Sequence, residues 1–230
     1  MRLVGLILVG LLLGCAQPPK STTAARQEGA LEANRKGETY VRHGELDSAA
    51  RSYREALRLS QSLEDPEGIA ANAINLSIVR QRQGRFADAR ASLAAVLEQP
   101  HLRFSQARLA EVTLRHALLD LDENRFSGAN EWVSRAARHC GERCPLASAI
   151  HNVRAQLALV AGRVDEAAAA ARNAHDASRA AGDRAELANA LRLLGITALR
   201  GGDFKTARTH LEQALALDRE IGAPRKIALD

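Results

Sequence analysis

The chain has 230 residues, a length that suits a single domain. Hydrophobic residues make up 46% of it and charged residues 26%, whereas aromatic residues make up only 3%. The formal net charge of +5 is modest, and acids and bases alternate along the chain. Proteins that bind nucleic acid concentrate Lys and Arg in a patch and often add stacking aromatic side chains, so the composition argues against a nucleic-acid partner.

The N-terminal segment begins with one positive charge, Arg2, followed by an apolar run. This order is typical of a secretory signal, and the run is too short to span a membrane. The run ends at Leu12-Leu13-Gly14-Cys15, which resembles the lipobox of bacterial lipoproteins. The resemblance implies that the signal 1–14 is removed, that Cys15 is lipidated and that the membrane is contacted by this lipid anchor alone. The alternative is an ordinary signal peptide in which the cysteine is incidental.

In bacterial lipoproteins, the residue after the lipidated cysteine helps to determine which membrane holds the protein. In Gram-negative lipoproteins an Asp there usually means retention in the inner membrane, but this chain has Ala16. By that resemblance we expect an outer-membrane lipoprotein that faces the periplasm. Over 15–28 the sequence contains Pro18-Pro19 and has no apolar period, so we predict a flexible tether.

From residue 29 to residue 222 the sequence is dominated by Ala, Leu, Arg and Glu, and no segment has the pattern of a strand. The predicted fold class is all-α. A six-residue phrase recurs five times in this region, for example as Gly202-Asp203-Phe204-Lys205-Thr206-Ala207. A constant period is typical of stacked helix–turn–helix units, none of which buries its apolar face alone. Successive phrases begin 40, 40, 38 and 40 residues apart, at Gly44, Gly84, Asn124, Gly162 and Gly202.

The residues that follow each turn resemble the tetratricopeptide repeat pattern. In the last unit the match is Phe204, Ala207, Leu211 and Ala214. The small Ala207 should let the two helices approach closely, and we expect Phe204 and Leu211 to fill the groove beside it. The resemblance implies a right-handed superhelix of about five repeats over 29–222, whose function is binding rather than catalysis. The period near 40 exceeds the usual value of about 34, so each unit carries roughly one and a half extra helical turns.

The last residues, 223–230, begin like the opening of a further repeat. We predict that they form a truncated sixth-repeat stub or a cap, since terminal repeats usually need a polar cover. If the last repeat is left uncovered, it could also mediate self-association, so a homo-oligomer or a self-associating structural lipoprotein is a second hypothesis.

Two cysteines, Cys140 and Cys144, stand just before Pro145, where a helix is predicted to begin. In an oxidising compartment we favour a short disulfide between them. Free thiols remain open, as does a zinc site with His139 and His151, although no second Cys or His pair has finger-like spacing. A thiol-dependent redox or hydrolytic enzyme is the remaining alternative. Since the chain has no His-Glu-x-x-His, nucleophile elbow or phosphate-binding loop, we expect no enzyme, metal or cofactor.

The family's geometry, carried onto this chain, predicts which first-helix residues line a concave groove. Some relatives clamp a terminal carboxylate there; Asn75 and Arg115 fit that pattern, but Glu38 and Glu111 occupy positions that need Asn and Lys. We therefore expect a largely apolar groove for a helix or an extended peptide, the alternative being that these side chains pack against neighbouring helices. The predicted groove residues are Asn34, Ile74, Asn75, Ile78, Leu114, Arg115, Leu118, Val153, Leu159, Asn189, Arg192, Ile196 and Leu199.

Together these features favour a lipid-anchored periplasmic scaffold that binds another envelope protein or a peptide. Tetratricopeptide lipoproteins often serve as assembly adaptors, so a pilotin-like role, or a role beside outer-membrane or cell-wall machinery, is the leading hypothesis.

Overall fold

A computed structural model of the protein describes residues 22–99, 101–141 and 144–222. Over these residues it is all-α, as the sequence predicts, with no strand. The predicted signal 1–14, Cys15 and the stub 223–230 lie outside the described residues. The helices are α1 (Thr22–Arg42), α2 (Leu46–Ser62), α3 (Pro66–Arg82), α4 (Phe86–Leu97), α5 (Gln106–Asp122), α6 (Phe126–Cys140), α7 (Ala147–Val160), α8 (Val164–Ala181), α9 (Arg184–Arg200) and α10 (Phe204–Glu220).

The helices form five pairs, each made of an odd-numbered first helix and the even-numbered second helix that follows it. The recurring phrase is the turn inside each pair. Its first residue adopts a left-handed backbone in every copy, with φ between 59° at Asn124 and 80° at Gly202. This conformation ends a helix and is least costly for Gly or Asn, which explains why only these two residue types occur there. In the last copy Asp203 also caps α10, its carboxylate accepting a hydrogen bond from the Thr206 N–H at 3.0 Å.

The alanine that closes each phrase lies where the two helices of a pair cross. Ala49, Ala89, Ala129 and Ala167 are fully buried, and Ala207 is nearly so. A side chain this small lets the two helix backbones approach closely, and a larger one would overpack the contact. The period of the sequence is therefore the period of these crossings.

The array curves with the first helices on its inner side. Each first helix contacts the next first helix, from α1 with α3 through to α7 with α9. Among the described residues no second helix contacts the next second helix. The layer of first helices is thus the more closely spaced of the two. We call it the inner face, and the layer of second helices the outer face.

Two sequence-based expectations are corrected by the structure. α1 begins at Thr22, so residues 22–28 of the predicted tether are helical; Ala24, Ala25, Arg26 and Gln27 are all good helix formers. Phe204, expected to fill the groove beside Ala207, is instead 70% exposed. The equivalent Phe86 and Phe126 pack against core clusters that a following repeat helps to build, and no described repeat follows α10.

Candidate functional site

The inner face carries a cleft of about 210 Å³ where α5, α7 and α9 meet. Because three successive first helices supply its walls, the cleft spans repeats three to five. Six of the thirteen predicted groove residues lie in it. The lining residues are Leu114 and Leu118 from α5, Ala149, Asn152, Val153 and Gln156 from α7, and Glu186, Asn189, Arg192, Leu193 and Ile196 from α9.

One side of the cleft is apolar and the other carries a ladder of hydrogen bonds. The ladder starts at Asn152, whose amide N–H₂ donates to the Glu186 carboxylate at 2.7 Å and to the Glu186 carbonyl at 3.0 Å. Asn189 donates to the same carboxylate at 3.3 Å, and Arg192 donates to the Asn189 side chain at 3.2 Å. Arg192 also pairs with Asp218 on α10, which is fully buried. The ladder therefore fixes the polar wall across α7, α9 and α10.

Asn152 has one hydrogen-bonding group left over. The residue is 6% exposed, and its Oδ1 has no partner among the described residues. Its orientation is set by the ladder, because both Glu186 groups are acceptors and the asparagine must present its N–H₂ to them. The Asn152 Oδ1 is consequently a hydrogen-bond acceptor without a donor, and it lies beside the apolar wall. A buried acceptor left in that state costs roughly 1–3 kcal/mol, so the site favours a ligand that brings an N–H or O–H donor.

Other predicted groove residues bridge first helices outside this cleft. Asn34 on α1 donates to Asn72 on α3 at 2.6 Å. Arg115 on α5 donates to Ser77 at 3.4 Å and also bonds the Gln81 side chain, both on α3. Burial lowers the pKa of Arg115 to about 10, and the group remains charged at neutral pH. These contacts join the first helices of repeats one to three.

The remaining predicted groove residues are dispersed. Ile74 and Asn75 are half-buried on α3, and Ile78 is exposed there. Leu159 is 5% exposed and belongs to the core formed by α7, α8 and α9, whereas Leu199 is 49% exposed beside α10. The structure therefore brings together six of the predicted residues, all of them from repeats three to five.

The cysteine loop lies between α6 and α7. The structure joins Cys140 and Cys144 by a disulfide, with a Cα–Cα distance of 4.9 Å. The ring of His139 hydrogen-bonds the Gln106 side chain at 2.9 Å. Over residues 22–99, 101–141 and 144–222 no cluster of His, Cys, Asp or Glu is arranged to hold a metal ion. In the same ranges no helix combines the length and the apolar character that a membrane span requires.

Sequence reasoning missed Asn152 and Glu186, which build the polar wall. A signal for Asn152 was present, because Asn72 precedes it by two repeat periods and occupies the equivalent place in α3. Both asparagines are buried, and both hydrogen-bond a neighbouring first helix. Comparing equivalent positions between repeats, rather than seeking residues typical of a clamp, would have identified it.

Comparison with known proteins identifies the repeat. Sequence profiles of the tetratricopeptide repeat match residues 146–220 and residues 73–95. The chain is a tetratricopeptide repeat protein. The first match contains all of α7 to α10, and so it contains most of the cleft-lining residues. Stacked repeats of this family create extended binding surfaces. No curated protein sequence matches the chain at a significant level.

Solved structures share the fold at low sequence identity. The chain is similar to BtubC from P. vanneervenii, with a TM-score of 0.65 and 19% identity over 87% of this chain and 91% of that one. It is similar to PilW, a widely conserved type IV pilus biogenesis factor, with a TM-score of 0.61 and 16% identity over 89% and 84% of the two chains. MamA from Desulfovibrio magneticus RS-1 gives a TM-score of 0.55 and 18% identity over 84% and 97%.

Proposed function

We propose that the protein is a scaffold that binds an extended segment of another protein in the inner-face cleft. The observation that carries this proposal is the pairing of an apolar wall with the unpartnered Oδ1 of Asn152. An extended peptide presents a backbone N–H about every second residue toward one side, together with side chains that fill an apolar wall. The cleft therefore suits a main-chain donor flanked by apolar side chains.

The walls also argue against a bound carboxylate in this cleft. Glu186 lies in the polar wall, and the charge of Arg192 is engaged by the buried Asp218. A ligand carboxylate placed beside Glu186 would be repelled, and little uncompensated positive charge is available to offset that repulsion. The peptide is consequently bound through its chain and its apolar side chains rather than through a terminal charge.

We further propose that the scaffold is a lipoprotein of the bacterial outer membrane that faces the periplasm and serves envelope assembly. The Leu12-Leu13-Gly14-Cys15 segment and the following Ala16 support the anchor and its location. Similarity in fold to PilW, a pilus biogenesis factor, makes an assembly machine of the envelope the first partner to test.

Site-specific photo-crosslinking in cells tests the binding surface. Gln156 is exposed and lines the cleft, so a photo-reactive residue placed there should capture an envelope protein. The matched control is Arg172, which is exposed on the second helix α8. Adding Leu118→Gln, which makes the apolar wall polar, should remove the crosslink. Identical crosslinks from the two positions, or crosslinks insensitive to Leu118→Gln, would refute the cleft as the binding site.

The anchor has a separate test. Cys15→Ser should abolish incorporation of radiolabelled palmitate and release the protein from the membrane fraction. If the Cys15→Ser protein still incorporates palmitate, or the wild type never does, the lipoprotein proposal is wrong, while the crosslinking result stands independently.

A further inference from the structure

A second cleft lies on the outer face, between the second helices of repeats two and three. Its volume is about 470 Å³, and it exists because α4 and α6 do not contact each other. The gap exposes part of α5 between them. Arg90, Ala91, Ala94, Leu97 and Glu98 of α4 form one wall, Trp132 and Arg135 of α6 form the other, and His116 of α5 lies between.

His116 is unusual because its ring is buried and has no hydrogen-bond partner. The residue is 7% exposed, and neither ring nitrogen is hydrogen-bonded within the described residues. One face of the ring stacks on Trp132, with ring centroids 4.3 Å apart and planes inclined by 15°. Stacking satisfies the ring face but not the nitrogens, and each unsatisfied polar atom costs roughly 1–3 kcal/mol. A packed core would place an apolar ring here; an imidazole beside a cleft is suited to contact a ligand.

The charges around the imidazole leave one cation available. Arg90 and Arg125 are engaged by Asp120 and Glu123, the Arg90–Asp120 distance being 3.7 Å and the Arg125–Glu123 distance 3.5 Å. Arg135 makes no ion pair within the described residues; its guanidinium lies over the Trp132 ring, 4.4 Å from the centroid. A guanidinium on an aromatic face keeps its N–H edge free for a planar acceptor.

We propose that this outer cleft binds an acidic segment of a protein partner, with a Glu or Asp carboxylate held between the Arg135 guanidinium and the N–H of the His116 imidazole. The guanidinium matches a carboxylate in shape and charge, and the imidazole supplies a further donor. The small Ala91 and Ala94 on the facing wall leave room for the peptide backbone. The site is on the opposite face from the inner cleft, and its test does not depend on the function proposed for that cleft.

The protein contains its own reporter for this site. Trp132 is the only tryptophan in the chain, so its fluorescence reports on the outer cleft alone. The full chain is titrated with two acetylated, amidated heptapeptides that differ only in carrying either two glutamates or two glutamines among alanines. The glutamate peptide is expected to change the Trp132 emission in a saturable way and to bind at least tenfold more tightly than the glutamine peptide.

Three variants separate a specific site from general attraction to a basic protein. Arg135→Gln is expected to weaken the glutamate peptide at least tenfold. Arg138→Gln removes the same charge from the next turn of α6, at an exposed position that does not line the cleft, and is expected to change affinity less than twofold. Glu98→Gln removes a carboxylate from the cleft wall and is expected to tighten binding severalfold. The circular dichroism at 222 nm of each variant checks that the helices are retained.

The proposal is overturned by any of three results. The first is equal affinity for the glutamine and glutamate peptides. The second is a loss of binding in Arg138→Gln as large as that in Arg135→Gln. The third is a constant Trp132 emission while calorimetry detects binding. Each would mean that the carboxylate is not recognised in this cleft.

Discussion

Replacing Gly195 by alanine gives a direct measure of how closely α9 and α10 pack. A Cβ at this position would lie 2.7 Å from Cγ and 2.9 Å from Cδ2 of Leu211, and 3.2 Å from the carbonyl oxygen of Ala207. Neither neighbour yields easily, since one is the branch point of a leucine and the other is backbone. Overpacking of this kind costs about 1–3 kcal/mol, while the better helix propensity of alanine returns about 1 kcal/mol. We expect Gly195→Ala to lower the free energy of unfolding by up to about 2 kcal/mol.

Gly29→Ala provides the matched control. It is the same substitution in another first helix, but it lacks the contact with a leucine branch point and with backbone. A Cβ there would lie 3.3 Å from Cδ1 of Leu59, the free end of a flexible side chain. Gly29→Ala is expected to stabilise the protein by about 0.5–1 kcal/mol through helix propensity alone. Urea unfolding followed by circular dichroism at 222 nm measures both variants, and their difference of about 2 kcal/mol isolates the packing contribution.

A double-mutant cycle identifies the contact responsible. Leu211→Ala removes the atoms that the new methyl group would meet, so Gly195→Ala should cost less in that background than in the wild type. The expected coupling is about 1 kcal/mol or more. If Gly195→Ala stabilises the wild type as Gly29→Ala does, or if the cycle shows no coupling, α9 and α10 are not packed as described.

Four other perturbations test separate features of the structure. Arg192→Met should cost about 3–5 kcal/mol in urea unfolding because it leaves the buried carboxylate of Asp218 unpaired, and a cost below 1 kcal/mol would contradict that burial. Burial lowers the pKa of His116 from 6.5 to about 4. As the pH falls below 6.5 the unfolded chain therefore binds a proton before the folded chain does, and stability present above pH 6.5 should fall by about 2–3 kcal/mol by pH 4. His116→Phe should flatten that decline, and an unchanged pH profile would refute the assignment. Cys140→Ser should cost at most about 2 kcal/mol because the disulfide closes a very short loop, and free thiols from this pair in the unfolded wild type would exclude the bond. Phe204→Asp should convert any self-associated species to monomer in analytical ultracentrifugation, and a monomeric wild type would exclude self-association through this repeat.

The fold could be predicted closely because its determinants are local. The left-handed turn residue and the alanine that closes each phrase act within one helix pair, and both recur in the sequence at a fixed interval. Phe204 shows that local sequence patterns do not predict burial that depends on another repeat. Its sequence context matches that of Phe86, yet Phe86 is packed and Phe204 is exposed, because burial depends on a neighbouring repeat that lies far along the chain.

The candidate sites were predictable only in part. Leu118, Ile196 and their neighbours follow from the repeat register, since the register fixes which side of a first helix faces inward. The hydrogen bond from Asn152 to Glu186 joins residues one repeat apart. Similarly, the stacking of His116 on Trp132 depends on how α5 and α6 cross. No spacing rule within a single helix encodes such pairs, because they depend on how helices from different parts of the chain pack together.

The unequal spacing of the two helix layers has a mechanical consequence. Where first helices touch and second helices do not, bending of the array has its hinge line along the inner layer and changes mainly the width of the outer gaps. The gap between α4 and α6 is one of these. A molecule bound in this gap would limit how far the array can straighten or curl, and would therefore restrict the angle between repeats one and two and repeats three to five. Binding at the outer face would therefore affect the curvature of the array, whereas the inner face would provide the cleft for the extended segment.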